Sequence, residues 1–258
     1  MNRRGFTLIE LLLAITLTGI LATALTRILI SDSRFVAQQD GLMAARNTAR
    51  AAQNVTSVEL RMVSTSGLLA GSADSVLVRI PFAFGIACGV SSGLRVASLM
   101  PVDSLMYATA TTDGIARLQA SGAYTFRAGV SAAPTTDTAT CVTANIRRVP
   151  DGTWVGIAPP NNTDPVGYLF YLYQTVTYRF GPSTDLPGRI GLWRRVNNAA
   201  YEEMAAPFDS TSRFRFLVGA NPQPVDAMPM DPSTVAGLQL NIVAQSYAIP
   251  QGKSTYAT

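Results

Sequence analysis

Arg3-Arg4-Gly5-Phe6-Thr7-Leu8-Ile9-Glu10, followed by an apolar run over residues 11–30, decides how the chain is read. Residues 11–26 carry no charge. A helix over residues 6–30 would be about 37 Å long at about 1.5 Å per residue, which is enough to cross a hydrocarbon core of about 30 Å. Arg3 and Arg4 ahead of the span set the N-terminus in the cytoplasm and the rest of the chain outside. Glu10 is the anomaly, because an ionised carboxylate at membrane depth costs on the order of a few kcal/mol unless something pairs with it. Snorkelling to the cytoplasmic interface is the plain alternative for that side chain.

The order of basic leader, Gly5, Phe6, Thr7-Leu8-Ile9-Glu10 and apolar helix resembles the class III signal of type IV pilins and of type II secretion pseudopilins. It matches at each of those positions. The resemblance implies that a prepilin peptidase cuts between Gly5 and Phe6 and N-methylates the new terminus at Phe6. It implies further that in a filament Glu10 pairs with the charged amine on Phe6 of the partner subunit, so that two charges buried among apolar helices neutralise each other. The implied partners are the peptidase, the inner membrane and other major and minor pilins or pseudopilins. Before assembly the chain is expected to cross the inner membrane once, N-in and C-out, and afterwards to stand in a periplasmic or extracellular filament. A twin-arginine signal, a signal-peptidase site at Ala22-Thr23-Ala24 and a plain uncleaved anchor draw on the same residues. The first two leave Glu10 unexplained and would amputate a helix whose pattern runs past residue 24.

Composition removes other classes. The formal charge is +4, and +2 once Arg3 and Arg4 leave with a leader, too little to make nucleic acid an expected partner. There is no histidine, so the commonest general base and metal ligand is missing. No Walker loop, GxGxxG, HExxH or CxxC occurs. No catalytic residue, cofactor or metal site is therefore expected. Asn161-Asn162-Thr163-Asp164 offers oxygens without EF-hand spacing, and Glu202-Glu203 reads as a solvated face. Cys88 and Cys141 both follow the span, which puts them in an oxidising compartment where a disulfide is the natural pairing, with two buried thiols as the alternative.

The expected fold class is α+β, a long N-terminal transmembrane and amphipathic helix packed on an antiparallel β-sheet domain. Its divisions are a leader over residues 1–5, a membrane or filament-core helix over 6–30, an amphipathic helix over 31–64 and a β-rich periplasmic domain over 65–258. No proline precedes Pro81, so one helix can run to about Met62. Leu25, Ile28, Phe35, Leu42, Ala45, Ala49, Ala52 and Val55 recur at the spacing of one helical face, and Gly19 and Gly41 are points where the helix can bend.

Beyond it, residues 75–80, 168–180, 190–196, 213–216 and 238–242 read as strands, and residues 146–157 as a hairpin turning at Asp151-Gly152. Residues 85–137 read as irregular β and loop. The strand order from Val176 to Leu217 resembles the C-terminal sheet of larger minor pilins and J-type pseudopilins. The function expected from the resemblance is a structural minor subunit of a type IV pilus. The alternatives are a minor pseudopilin of type II secretion, a filament-tip adhesin or DNA-binding subunit, and a membrane-anchored periplasmic enzyme.

Overall fold

Helix α1 (Leu8–Arg61) runs without a break through both Gly19 and Gly41 in the computed structural model, which describes residues 7–64, 66–147, 151–219, 221–246 and 256–257. No proline interrupts its backbone ladder, and Thr7 caps its start from an extended conformation. Every residue from 7 to 40 is exposed, and cover begins only at Gly41.

The buried stripe is Gly41, Ala45, Thr48, Ala52 and Thr56. This corrects the expected face: Ala45 and Ala52 belong to it, Leu42 and Ala49 lie half-buried, and Leu25, Ile28, Phe35 and Val55 are exposed. Small side chains at the seam let the helix axis approach the sheet closely, so the docked face is marked by size more than by hydrophobicity. Thr48 and Thr56 fit there too, and Thr56 loses no polar contact because its hydroxyl donates to the Ala52 carbonyl at 2.6 Å.

The chain then forms β1 (Leu68–Gly71), β2 (Ser75–Ser91), β3 (Leu94–Leu99), α2 (Pro101–Thr109), β4 (Gly114–Leu118), β5 (Tyr124–Ala128), β6 (Ser131–Pro134), α3 (Ala139–Thr143) and β7 (Trp154–Ala158). After these come β8 (Leu169–Pro182), β9 (Ile190–Val196), β10 (Glu202–Phe208), β11 (Arg213–Val218), β12 (Gln223–Val225), β13 (Val235–Asn241), β14 (Ala244–Gln245) and β15 (Tyr256–Ala257). All described pairings are antiparallel. The larger sheet runs β15-β14-β10-β9-β8-β2-β3-β7-β6, with β1 on β2 and the β4–β5 pair on β8, and a smaller sheet runs β12-β11-β13.

β8, the aromatic-rich stretch, is the spine. One edge pairs with β2 from Leu169 opposite Ile86 to Arg179 opposite Ser75. The other edge is shared, β4 taking Phe170 to Tyr173 and β9 taking Val176 to Pro182. At the changeover the Asp113 amide donates to the Tyr173 carbonyl and the Asn197 amide to the Thr175 carbonyl, so no backbone group is stranded. Pro81 lacks an N–H, and the β2–β8 register shifts by a bulge between Pro81 and Ala83.

Two main cores result. In one, Ala45 and Ala52 of α1 meet Val76, Val78, Val176, Tyr178, Phe180 and Leu192 of the large sheet and Phe214 and Phe216 of the small one. In the other, Phe82, Ala87, Leu99, Ile115, Val155, Ile157, Phe170 and Leu172 form the part of the domain remote from the helix.

The stretch expected to be irregular, residues 85–137, is thus mostly regular structure. In β3 the pattern is weak because both faces are covered: Arg95, Val96, Ala97, Ser98 and Leu99 are all buried, so no alternation survives. The expected hairpin over residues 146–157 is also corrected. Asp151 does adopt a left-handed conformation, φ 63°, but Ile146 and Arg147 lie outside any strand, and β7 pairs with β3 and β6 instead.

Candidate assembly site

The half of α1 that the domain leaves bare is the feature with chemistry to explain. Leu8 is 80 % exposed, Leu13 58 % and Ile20 65 %, an apolar surface that water disfavours on every side of the helix. The threonines of its apolar run are already provided for. The hydroxyls of Thr16, Thr18, Thr23 and Thr26 donate to the carbonyls of Leu13, Ala14, Ile20 and Ala22 at 2.7–2.9 Å. Such internal bonds are what a helix needs in hydrocarbon, where no water can accept them. This is the one helix among the described residues long and apolar enough to cross a membrane.

At its N-terminus Thr7 and Glu10 form a capping box. The Thr7 hydroxyl accepts from the Glu10 amide at 3.3 Å, while the Glu10 carboxylate accepts from the Thr7 amide at 3.0 Å and the Thr7 hydroxyl at 2.9 Å. The anomalous carboxylate is therefore held in the first turn, at the positive end of the helix, directly before the apolar run. Gly5 and Phe6, the expected cleavage and methylation positions, lie outside the described residues.

The first 26 residues match the family model of the prokaryotic N-terminal methylation motif. The chain carries a prepilin signal. The motif indicates a type IV pilin- or pseudopilin-like precursor, a class of structural subunits processed by prepilin peptidase and assembled with other pilins. The apolar half of α1 fits membrane anchoring of such a prepilin. No curated protein and no solved structure matches the chain.

The rest of the chain is fastened to α1 by a cluster that sequence reasoning missed. Glu59 accepts from Arg194 of β9 through Nε at 3.1 Å and Nη2 at 2.8 Å, and the Tyr178 hydroxyl of β8 donates to it in a short hydrogen bond. Burial first, and then the Glu59 carboxylate, push the Tyr178 phenol far above the ordinary tyrosine range. Burial works to lower Arg194, yet pairing with Glu59 outweighs it and raises the guanidinium further. A sequence signal existed: Glu59 continues the spacing of Ala45, Thr48, Ala52 and Thr56, so it had to face the sheet.

Cys88 of β2 and Cys141 of α3 are joined by a disulfide, with Cα atoms 4.9 Å apart. Asp137 accepts from the Thr140 amide and hydroxyl ahead of α3, and hydrogen bonds from Ser91 and Thr140 hold its carboxyl below the usual range. In the loop over residues 159–167, weighed as a calcium site, the Asp164 carboxylate accepts from Arg117 at 2.6 Å and from the Asn161 amide group at 3.0 Å. Buried Arg95 takes the Asn161 and Asp164 carbonyls at 2.6 and 3.0 Å. These oxygens fasten a loop to two guanidinium groups. Glu203, read as part of a solvated face, instead accepts from the Thr184 amide and hydroxyl and pins the turn before β9.

Proposed function

We propose that this chain is a minor subunit of a type IV pilus, stored in the inner membrane by α1 and drawn from there into a helical filament core. The observation that carries the reading is the exposed apolar half of α1, self-bonded at its threonines and headed by the Thr7–Glu10 box behind a prepilin motif. Prepilin peptidase cleaves after Gly5 and N-methylates Phe6. In the filament the Glu10 carboxylate exchanges the Thr7 amide for the amine on Phe6 of the partner subunit, and both charges are neutralised where water is excluded. The domain over residues 65–258 stands on the filament surface or at its tip.

Co-expression of the full chain with a prepilin peptidase, followed by intact mass and N-terminal analysis, tests this. A mature chain starting at N-methylated Phe6 is the expected product, and a start near residue 23 or an intact leader overturns the reading. Glu10→Ala should be processed normally and yet be missing from sheared filaments; normal incorporation would remove the charge pair from the mechanism. The alternative, a pseudopilus of type II secretion, is told apart by a deletion strain that loses secretion and keeps its pili.

A further inference from the structure

Strand β13 is an edge that nothing among the described residues guards. It pairs with β11 on one side only among the described residues, and its sequence, Val235-Ala-Gly-Leu-Gln-Leu-Asn241, contains no proline and no charge. Edge strands of soluble proteins ordinarily carry one or the other, because a bare row of N–H and C=O groups invites another strand. Along this edge lies a groove of about 730 Å³ whose far wall is α1 at Arg46, Ala49, Arg50, Gln53, Ser57 and Arg61, and whose near wall includes Leu238, Leu240 and Ile242. A second hollow of about 400 Å³ shares Leu60 and Leu238 with it and continues past Val235.

The wall is basic and uncompensated. Arg46, Arg50 and Arg61 make no ion pair or hydrogen bond among the described residues, whereas the nearby acid, Glu59, is committed to Arg194. The chain's own C-terminal stretch cannot neutralise them with side chains, since residues 247–258 contain no Asp or Glu and do contain Lys253.

We infer that this groove takes an extended segment of another protein, which adds to β13 as a further strand and turns acidic side chains toward Arg46 and Arg50. The dimensions agree. Arg46 to Arg61 covers about 22 Å of helix, and the seven residues of β13 cover about 23 Å. Arg46 and Arg50 stand about 6 Å apart along the axis, close to the roughly 6.6 Å between alternate side chains of a strand. Carboxylates at every second position therefore fall in step with the arginines, on the face that Leu238, Leu240 and Ile242 share, while the intervening residues turn to the outer face of the small sheet beside Gln239 and Asn241. Main-chain bonds supply affinity and the charge register supplies choice.

The probe is a fluorescent heptapeptide of alternating Val and Glu, titrated by anisotropy into the full chain in detergent micelles, with amide exchange read over residues 235–241. Saturable binding with at least tenfold slower exchange of those amides is expected, together with at least a tenfold loss of affinity in R46E/R50E, a pair of exposed positions the fold does not depend on. The inference is overturned by an absence of saturable binding at millimolar peptide, by affinity indifferent to R46E/R50E, or by unchanged exchange in β13. Equal affinity for a peptide with its glutamates in one block, or for single-stranded DNA, overturns it also, since either would reduce the groove to a general anion surface.

Discussion

Glu59 shows how much one side chain can hold. Its carboxylate is shared by Arg194 and Tyr178, so removing it strands a half-buried guanidinium and a buried phenol together. Glu59→Ala is expected to cost about 2–4 kcal/mol and Glu59→Gln, which keeps an acceptor, clearly less; equal denaturation midpoints for the two would refute the charge account. The same cluster sets an alkaline limit. Tyr178 has a folded-state pKa raised by burial and by Glu59, so its contribution is complete below the unfolded value of about 10 and is lost as pH rises beyond that. Tyr171, Tyr173 and Tyr168, also raised by burial, add to the trend. The melting temperature should fall between about pH 10 and 12, with the phenolate absorbance of Tyr168, Tyr171, Tyr173 and Tyr178 rising only as the fold is lost. Full ionisation of the nine tyrosines near pH 10 in an intact fold would contradict this.

At the scale of elements, the small sheet meets the large one through Phe216 against Gly71 of β1. A Cβ on Gly71 would collide with the Phe216 ring, whose own position is fixed on both sides by core. Gly71→Ala should destabilise by about 1–3 kcal/mol, and double substitution with Phe216→Leu should recover part of that loss. In a separate cluster with Val96 and Trp154, the disulfide closes a separation of 53 residues, for which chain entropy gives about 4 kcal/mol. Reduction should open proteolytic cleavage around α3 and the segment before β7 while the core under α1 keeps its protection, a pattern read by limited digestion. Cleavage first at residues 41–61 would show that the disulfide supports the docked helix instead.

Over the whole molecule, what could be read in advance tracks how one-sided each element's surroundings are. The bare half of α1 announced itself because apolar residues on all sides have one common explanation. β8, β9, β11 and β13 were legible because composition, turn residues or alternation marked them, as with Phe214 and Phe216 inward and Arg213 and Arg215 outward. β3 lacks that contrast because it is covered on both faces, and the second half of β2 lacks it because its exposed residues, Phe84 and Val90, are apolar too. The docked stripe of α1 was misread because Gly41, Thr48 and Thr56 score as poor core residues, although close approach to a sheet favours them. The capping box left the Glu10 anomaly in place and gave it a present partner, Thr7. Glu59, Arg194 and Tyr178 lie 135 and 119 residues apart in pairs, and no local pattern joins them.

The shared edge of β8 also determines where the molecule yields under load. Tension along α1 reaches the sheet at Tyr178 and Arg194 through Glu59, and β8 is hydrogen-bonded on both edges along nearly its whole length. Such a strand distributes traction over two neighbours at once. In the proposed filament, traction from the base should therefore strip α1 from its seam of glycine, alanine and threonine before it tears the sheet, with the Glu59 cluster as the last tether to part.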